Sequence, residues 1–424
     1  MTTTTAAPPR PAPAGALLRD RVFRHYWSAH VVSLVGDQIS LIAIPLIAVL
    51  TLGAGPAEMG YLTAAALVPN LLFSLPAGAW VDRQSYKRKV MIAADLGRAA
   101  LIVMVPVLAF AGVLGLWHLC ALCFAIGTLT VFYEVADGSL FASVVRRPDY
   151  IAANSLTVGA RAMSFVAGPS VGGVLVQVLT APFALLADAL SYLGSALLLT
   201  RIAPPENAGS GSAGGGLGLG SGLAFVFRSA VLRQLLLGCT VINLFNYVFH
   251  ALLILYVTTE LGISPGMLGP LLGIASIGGL AGAAVTGALT RRFGIGPIVV
   301  LGYLAFPLPL VLIPLAGGPQ PVVIGMLLAA EFLAALGVMI LDISVGSLQT
   351  ASTPMSRLSL VKGAQRAVNY GVRPIGALLG GVLGELIGVR AGLWVGAVGA
   401  VTGVLFVLFS PVPRMRELPE PPGA

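Results

Sequence analysis

The chain is a succession of long apolar runs broken by short clusters of charge, proline or glycine. Twelve runs fall at roughly 27–52, 57–80, 90–112, 116–143, 152–178, 182–200, 233–259, 266–289, 296–316, 321–349, 360–386 and 389–410. Each approaches or exceeds the ~20 residues that a helix needs to cross the hydrocarbon core of a bilayer. The runs are continuously apolar rather than alternating, which speaks against a membrane β-barrel. The pattern predicts an all-α polytopic membrane protein with twelve transmembrane helices.

Composition sharpens this. Only 9% of the 424 residues are charged and 57% are hydrophobic, whereas soluble domains carry about 25% charged residues. So little polar surface excludes a soluble enzyme, a secreted protein or a disordered scaffold. The opening MTTTTAAPPRPAPAGA lacks the basic start and apolar core of a secretory signal. It is expected to form a disordered cytoplasmic tail over 1–22. Cys120, Cys123 and Cys239 all lie in apolar runs, and the CxxC of the first two reads as packing one helical turn apart. No zinc pattern or disulfide framework is present, and neither a metal nor a cofactor is expected.

The charges have a direction. Of the 24 Lys and Arg, only Arg390 lies in a predicted outer loop, while clusters such as Arg19, Arg21 and Arg24, or Arg83, Lys87, Arg88 and Lys89, gather on the other side. Basic loops stay in the cytoplasm, so both termini are expected inside a plasma membrane, with membrane lipid as the surrounding partner. The net charge of +8 then orients the chain. No basic module stands clear of the membrane to bind nucleic acid.

The chain also repeats itself. Arg24 and Arg233, Pro56 and Pro265, Gly60 and Gly269, Gly78 and Gly287, and Arg83 and Arg292 are each 209 residues apart, and Asp37 maps onto Asn246 at the same offset. Further on, Glu134 maps onto Asp342 at 208, and Arg161 onto Arg366 at 205. This divides the chain into an N-terminal six-helix half at 23–200, a cytoplasmic linker at 201–231, a C-terminal six-helix half at 232–410 and a cytoplasmic tail at 411–424. The linker is Gly/Ser-rich, and the GLAFVFRSAVLRQ that ends it could form a short surface helix. Two parallel six-helix repeats are one architecture of secondary transporters.

Nothing in the chain hydrolyses nucleotide. None of its three lysines, Lys87, Lys89 and Lys362, is followed by Ser or Thr, as the phosphate-binding loop requires. Ionisable residues inside apolar runs are costly and mark candidate pathways. His30, Ser33, Asp37 and Ser40 share one face of the first span. Thr130, Glu134, Asp137 and Phe141 do so in the fourth, Cys239, Asn243, Asn246 and His250 in the seventh, and Glu331, Asp342 and Gln349 in the tenth. These are the first helices of four three-helix units, so a shared cavity is expected between them. Carboxyl groups in such a cavity suit proton coupling, because loss of water favours their neutral form. Asp37, near mid-span, is the foremost candidate. Phe132, Phe245 and Tyr247 are expected to help line the pocket. Asp95 and Arg98, three residues apart, read as an internal ion pair or a gating latch, and Arg161 and Asp188 as groups satisfying buried partners.

Residues 78–90, GAWVDRQSYKRKV, resemble the signature between spans two and three of the major facilitator superfamily, with Gly78, Asp82, Arg83 and Lys87 matching. GALTRRFG at 287–294 is a worn copy with Arg291 in place of Asp82. In span five, SFVAGPSVGG resembles that superfamily's antiporter motif through Gly168, Pro169, Gly172 and Gly173. SLVGDQISLIAIPL, VVRRPDYIAANSL and SLQTASTP resemble its siderophore- and macrolide-exporting branch. The resemblance implies a cytoplasmic gate at the first motif, close helix packing at the second, and export rather than import. The expectation is a monomeric, proton-coupled exporter of a small-molecule substrate. An importer or lipid flippase on the same fold is the alternative, and a non-transporting membrane sensor or enzyme a more distant one.

Overall fold

The computed structural model describes residues 17–202, 219–354 and 357–419. The remainder of the expected N-terminal tail, most of the linker and the last residues lie outside these. Along the chain the helices are α1 Arg21–Leu46, α2 Pro56–Arg83, α3 Lys87–Phe110, α4 Leu116–Val144, α5 Tyr150–Leu179, α6 Ala181–Thr200, the short α7 Leu219–Arg228, α8 Ala230–Leu255, α9 Pro265–Phe293, α10 Ile295–Ala305, α11 Gln320–Ala351, α12 Leu358–Ile387, α13 Val389–Val401 and α14 Gly403–Leu408. Short helical turns at 308–315 extend α10.

Among the described residues, ten helices are long and apolar enough to cross a membrane, or eleven when the two arms of α2 count as one. The difference from the expected twelve lies in α12, which runs beside the others but carries Lys362, Arg366, Arg373 and Glu385. The arms of α2, Pro56–Ser74 and Pro76–Arg83, meet at 56°. Pro76 explains the bend, since it lacks an N–H and crowds the carbonyl of the preceding turn.

Local chemistry sets the helix ends. Asp20 caps α1 by accepting from the backbone N–H groups of Val22 and Phe23 at 2.8 and 2.9 Å. Residues 20–22, expected in the tail, thus belong to the first helix. The C-terminal segment is also tied down: Gly296 N–H donates to the Met415 carbonyl at 2.8 Å, and Val412 is buried.

The sequence repeat recurs in the backbone. α1 and α8 each end in a π-helical turn, at Ile47–Thr51 and Tyr256–Glu260, and each turn is followed by a left-handed glycine, Gly53 and Gly262. Both pairs are 209 residues apart. α1 packs on α5 and α6 as α8 packs on α12 and α13, and α2 on α4 as α9 on α11. The two sets of helices meet through α2 on α12 and α5 on α9.

These seams are tight at one end only. A Cβ on Gly60 would lie 2.8 Å from the Ala377 carbonyl oxygen, and one on Gly173 would lie 3.0 Å from the Gly269 nitrogen. The largest buried cluster joins this end of both sets, from Leu46, Met59 and Tyr192 to Leu252, Leu271 and Leu327. At the opposite end, which holds the α2–α3 loop and the 412–416 segment, the clusters are separate. One gathers Phe23, Met91 and Leu199, and others gather Leu235, Val299 and Val412, or Val226 and Val361. Among the described residues, the two sets are joined at the far end and parted at this basic end.

Candidate functional site

Polar side chains converge in the first set of helices. Arg98 of α3 is 1% exposed and pairs with Asp95, which is 0% exposed. The guanidinium also lies 3.8 Å from Asp37 of α1, and over the rings of Tyr133 at 4.4 Å and Tyr192 at 4.2 Å. The Tyr192 hydroxyl donates to Asp37 at 2.6 Å. Beyond Tyr192 on α6, Asp188 accepts from Ser40 and, at 3.2 Å, from Ser191. Gly36 makes room for this contact: a Cβ there would lie 2.3 Å from the Asp188 carboxylate. Asp188 and Asp95 are fully enclosed, whereas the Asp37 side chain is 39% exposed. Asp37 is thus the edge of a buried network of three carboxyls and one guanidinium.

A second group lies toward the basic end. Asp137 of α4 accepts from the Tyr26 hydroxyl at 2.7 Å and sits 3.8 Å from His30. Glu134, one turn away, faces Arg366 of α12 at 4.0 Å across the gap between the sets. Both are largely exposed, at 48% and 62%.

In the second set, Asn243 of α8 accepts from Arg373 Nε of α12 at 3.0 Å. His250 lies near the ring of Tyr247, at 6.1 Å between centroids, and is exposed. Asn246 keeps its carbonyl oxygen buried with no partner among the described residues. Asp342 of α11 is exposed.

Glu331 does not join them. It lines a cleft with Leu253, Ile254, Val257, Leu268, Leu271, Leu272, Ile313 and Leu327 near the far end. It shares a helix face with Asp342, but eleven residues of helix separate them by about 16 Å. That distance carries Glu331 past the floor of the open region. Phe245 also points away, onto Gly399 of α13. Phe132 meets Trp80 edge-on at 5.4 Å in an apolar groove between α2, α3 and α4. Of the three expected pocket aromatics, Tyr247 lies beside the Arg373 guanidinium, at 5.3 Å.

The loop between α2 and α3 holds itself together. Lys87 donates to the Val81 carbonyl and Arg88 to that of Ile202. Asp82 and Arg83 are exposed and make no ion pair among the described residues, and Gly78 has open space beside it. The span-five motif works on two faces of α5. A Cβ on Gly168 would lie 2.5 Å from Gln38 Cβ, and one on Gly172 would lie 3.1 Å from Ile39 Cα, both on α1. On the adjoining face, Pro169 and Gly173 meet Gly269 of α9. Small residues at four-residue spacing let α5 sit against a helix of each set.

A family model described as a transmembrane secretion effector matches residues 12–422. The chain belongs to the major facilitator superfamily. Its sequence is 26% identical over 407 residues to a multidrug efflux pump, Tap, of Mycolicibacterium fortuitum, covering 90% of this chain and 93% of that protein. It is 24% identical over 382 residues to an uncharacterized MFS-type transporter, YfiS, of Bacillus subtilis, covering 85% and 86%. The solved structure of the nucleoside transporter NupG aligns with a TM-score of 0.71 at 14% identity, over 91% of this chain and 97% of that one. Likeness at that identity speaks for the fold alone. This facilitator is therefore a multi-pass membrane transporter, from a family and fold of transporters rather than enzymes.

Sequence reasoning about this facilitator missed two features. It treated Asp188 as a satisfied buried group and did not see that α6 brings both Asp188, which bonds Ser40, and Tyr192, which bonds Asp37, onto the same face of α1. It also passed over Arg373 and Tyr370 on α12. The signal was present, since Arg366 and Arg373 stand seven residues apart in a membrane-length run.

Proposed function

We propose that this facilitator is a proton-coupled exporter of small amphipathic molecules. It would lie in the plasma membrane with its basic end and both termini in the cytoplasm. The observation that carries this reading is a charge imbalance: among the described residues, Arg98 is the one guanidinium at ion-pair distance from Asp37 and Asp95, while Asp188 is held by Ser40 and Ser191 with no cation at that distance. If all three were ionised, two negative charges would remain uncompensated. Stranding one charge in a buried site costs about 3–5 kcal/mol. Proton occupancy relieves that cost, and Asp37 at the edge gives protons a way in and out.

In the basic-end-open form, Asp37 can exchange its proton with cytoplasmic water, and substrate enters beside it. Rocking of the two halves about the α2–α12 and α5–α9 seams then exposes the same region to the other side. Inward return of protons drives the cycle, each charge gaining about 2.3 kcal/mol per 100 mV of membrane potential. The similarity to a multidrug efflux pump and the small-residue pattern of α5 support the outward direction. The Glu134–Arg366 contact spans the basic-end opening and suits a gate.

Everted vesicles carrying the protein should lose part of an imposed proton gradient when a transported compound is added. Asp37→Asn should abolish uphill transport in a protein that still folds. No gradient loss across a broad panel of drugs and siderophores counts against the exporter, and unchanged concentrative efflux in Asp37→Asn removes Asp37 from coupling.

A further inference from the structure

The second half presents a cation of a different kind. Arg366, Tyr370 and Arg373 recur at i, i+4 and i+7 and so share one face of α12. Arg366 reaches toward Glu134 on the opposite half, which shows that this face borders the opening between the halves. Tyr370 lies between the arginines, with the Arg366 guanidinium 5.1 Å and the Arg373 guanidinium 3.9 Å from its ring centre.

The two arginines differ in what balances them. Arg366 has Glu134 at 4.0 Å. Arg373 has no acid at ion-pair distance among the described residues. Its one hydrogen bond is through Nε to the neutral amide of Asn243. That bond, with Tyr370 against one face, fixes the plane of the guanidinium. The two terminal nitrogens have no acceptor among the described residues. They form the fork that takes a carboxylate or phosphate by two parallel bonds.

We propose that Arg373, held by Asn243, Tyr370 and Tyr247, is the docking group for an oxyanion on the substrate. The transported compounds would then be acidic or zwitterionic amphipaths rather than purely cationic ones. The proposal rests on the exporter reading for its biological meaning, but not on proton coupling. A zwitterion suits the whole opening, because the facing half places Asp37 and Glu134 on its wall. The dull role for Arg373, tying α12 to α8, needs only the Nε bond and leaves the fork unexplained.

Rhodamine B and its ethyl ester test this with one ring system. The first carries a free carboxylate and the second does not. Equilibrium binding to the purified full-length protein in lipid-free detergent, read by fluorescence anisotropy, should favour rhodamine B by at least tenfold. That is the low end of what a charge-assisted hydrogen bond supplies. Arg373→Gln should abolish the preference while leaving ester affinity unchanged, which also reports that the variant is folded. Arg373→Lys should keep part of it, and Lys362→Gln, at an exposed basic residue near the end of the same helix, should keep all of it. Rhodamine B that binds no better than its ester, or a preference that survives Arg373→Gln, overturns the proposal. Binding needs no gradient, so failure of coupling in vesicles and failure of this selectivity are separate results.

Discussion

Replacing Gly269 with alanine should move the molecule out of the conformation described above. Gly269 sits where α9 crosses α5, and a Cβ there would lie 2.4 Å from the Pro169 carbonyl oxygen and 2.7 Å from Ser170 Cα. Both are backbone atoms, so no side chain can rotate away and the helices must separate. Overpacking of this sort costs about 1–3 kcal/mol. The seam belongs to the form sealed at the far end, so the cost falls on that form. At about 1.4 kcal/mol per tenfold, the population ratio should shift about 5- to 150-fold toward the opposite form. Spin labels at Ser143 and Lys362 near the basic end, and at Val113 and Gln320 near the far end, would report both separations once Cys120, Cys123 and Cys239 are replaced by Ser. The basic-end distance should shorten and the far-end distance lengthen. Gly346→Ala, where a Cβ meets nothing within 4 Å, should leave both unchanged. Unaltered distances in a monodisperse Gly269→Ala protein, or an equal shift in the control, would refute the argument.

Three further outcomes follow from the polar groups. Asp188→Asn keeps a side chain that can bond Ser40 but cannot exchange a proton, so it should reduce gradient-driven efflux without lowering thermal stability; full efflux would confine coupling to Asp37. Arg98→Met removes the cation that touches Asp95 and Asp37. It should destabilise the protein by about 3–5 kcal/mol in thermal melts. Lysine there should not restore it, because a compact ammonium cannot lie flat against both Tyr133 and Tyr192, and a wild-type melt for Arg98→Met would contradict the network. Glu331→Leu should raise the melting temperature while leaving transport intact, since it replaces a carboxyl that has no partner among the described residues and sits among aliphatic side chains, worth about 1–3 kcal/mol; a lower melting temperature or lost efflux would return Glu331 to the working site.

The apolar runs made most helices legible, because lipid leaves the backbone few options other than helix. The repeat was legible too, and it marks the same offset as the two π-helical turns. Side-chain partnerships across helices were not. Periodicity places Asp37 on a face, but only the packing of α6 on α1, permitted by Gly36, brings Asp188 and Tyr192 to it. Likewise, a shared face joined Glu331 to Asp342 in the sequence, yet depth along the helix decides which of them meets the opening. Basic residues were read chiefly for orientation, so Arg373, deep in α12, escaped notice as a binding group.

The repeat also shows what was kept and what was not. Backbone devices recur at the 209-residue offset: the π-helical turn, the glycine after it, and the proline that opens the next helix. The buried charges around Asp37 do not recur. At that offset Asp37 becomes Asn246, Asp95 becomes Leu304 and Arg98 becomes Pro307. Rocking needs two halves of equal build, so mechanics favour retention of the scaffold. Coupling and recognition need opposite charges facing one another, which an exact copy could not supply: two acidic walls would repel, and a substrate would meet the same group twice. Under the two proposals above, the acids around Asp37 make one half proton-accepting, and Arg373, with no acid at ion-pair distance among the described residues, makes the other anion-accepting. A double variant, Asn246→Asp with Arg373→Gln, should therefore remove the charge asymmetry of the two walls and lose selectivity for rhodamine B over its ester. The scaffold contacts at the two seams remain untouched. Retained selectivity in that variant would show that the asymmetry of the two walls is not what distinguishes substrates.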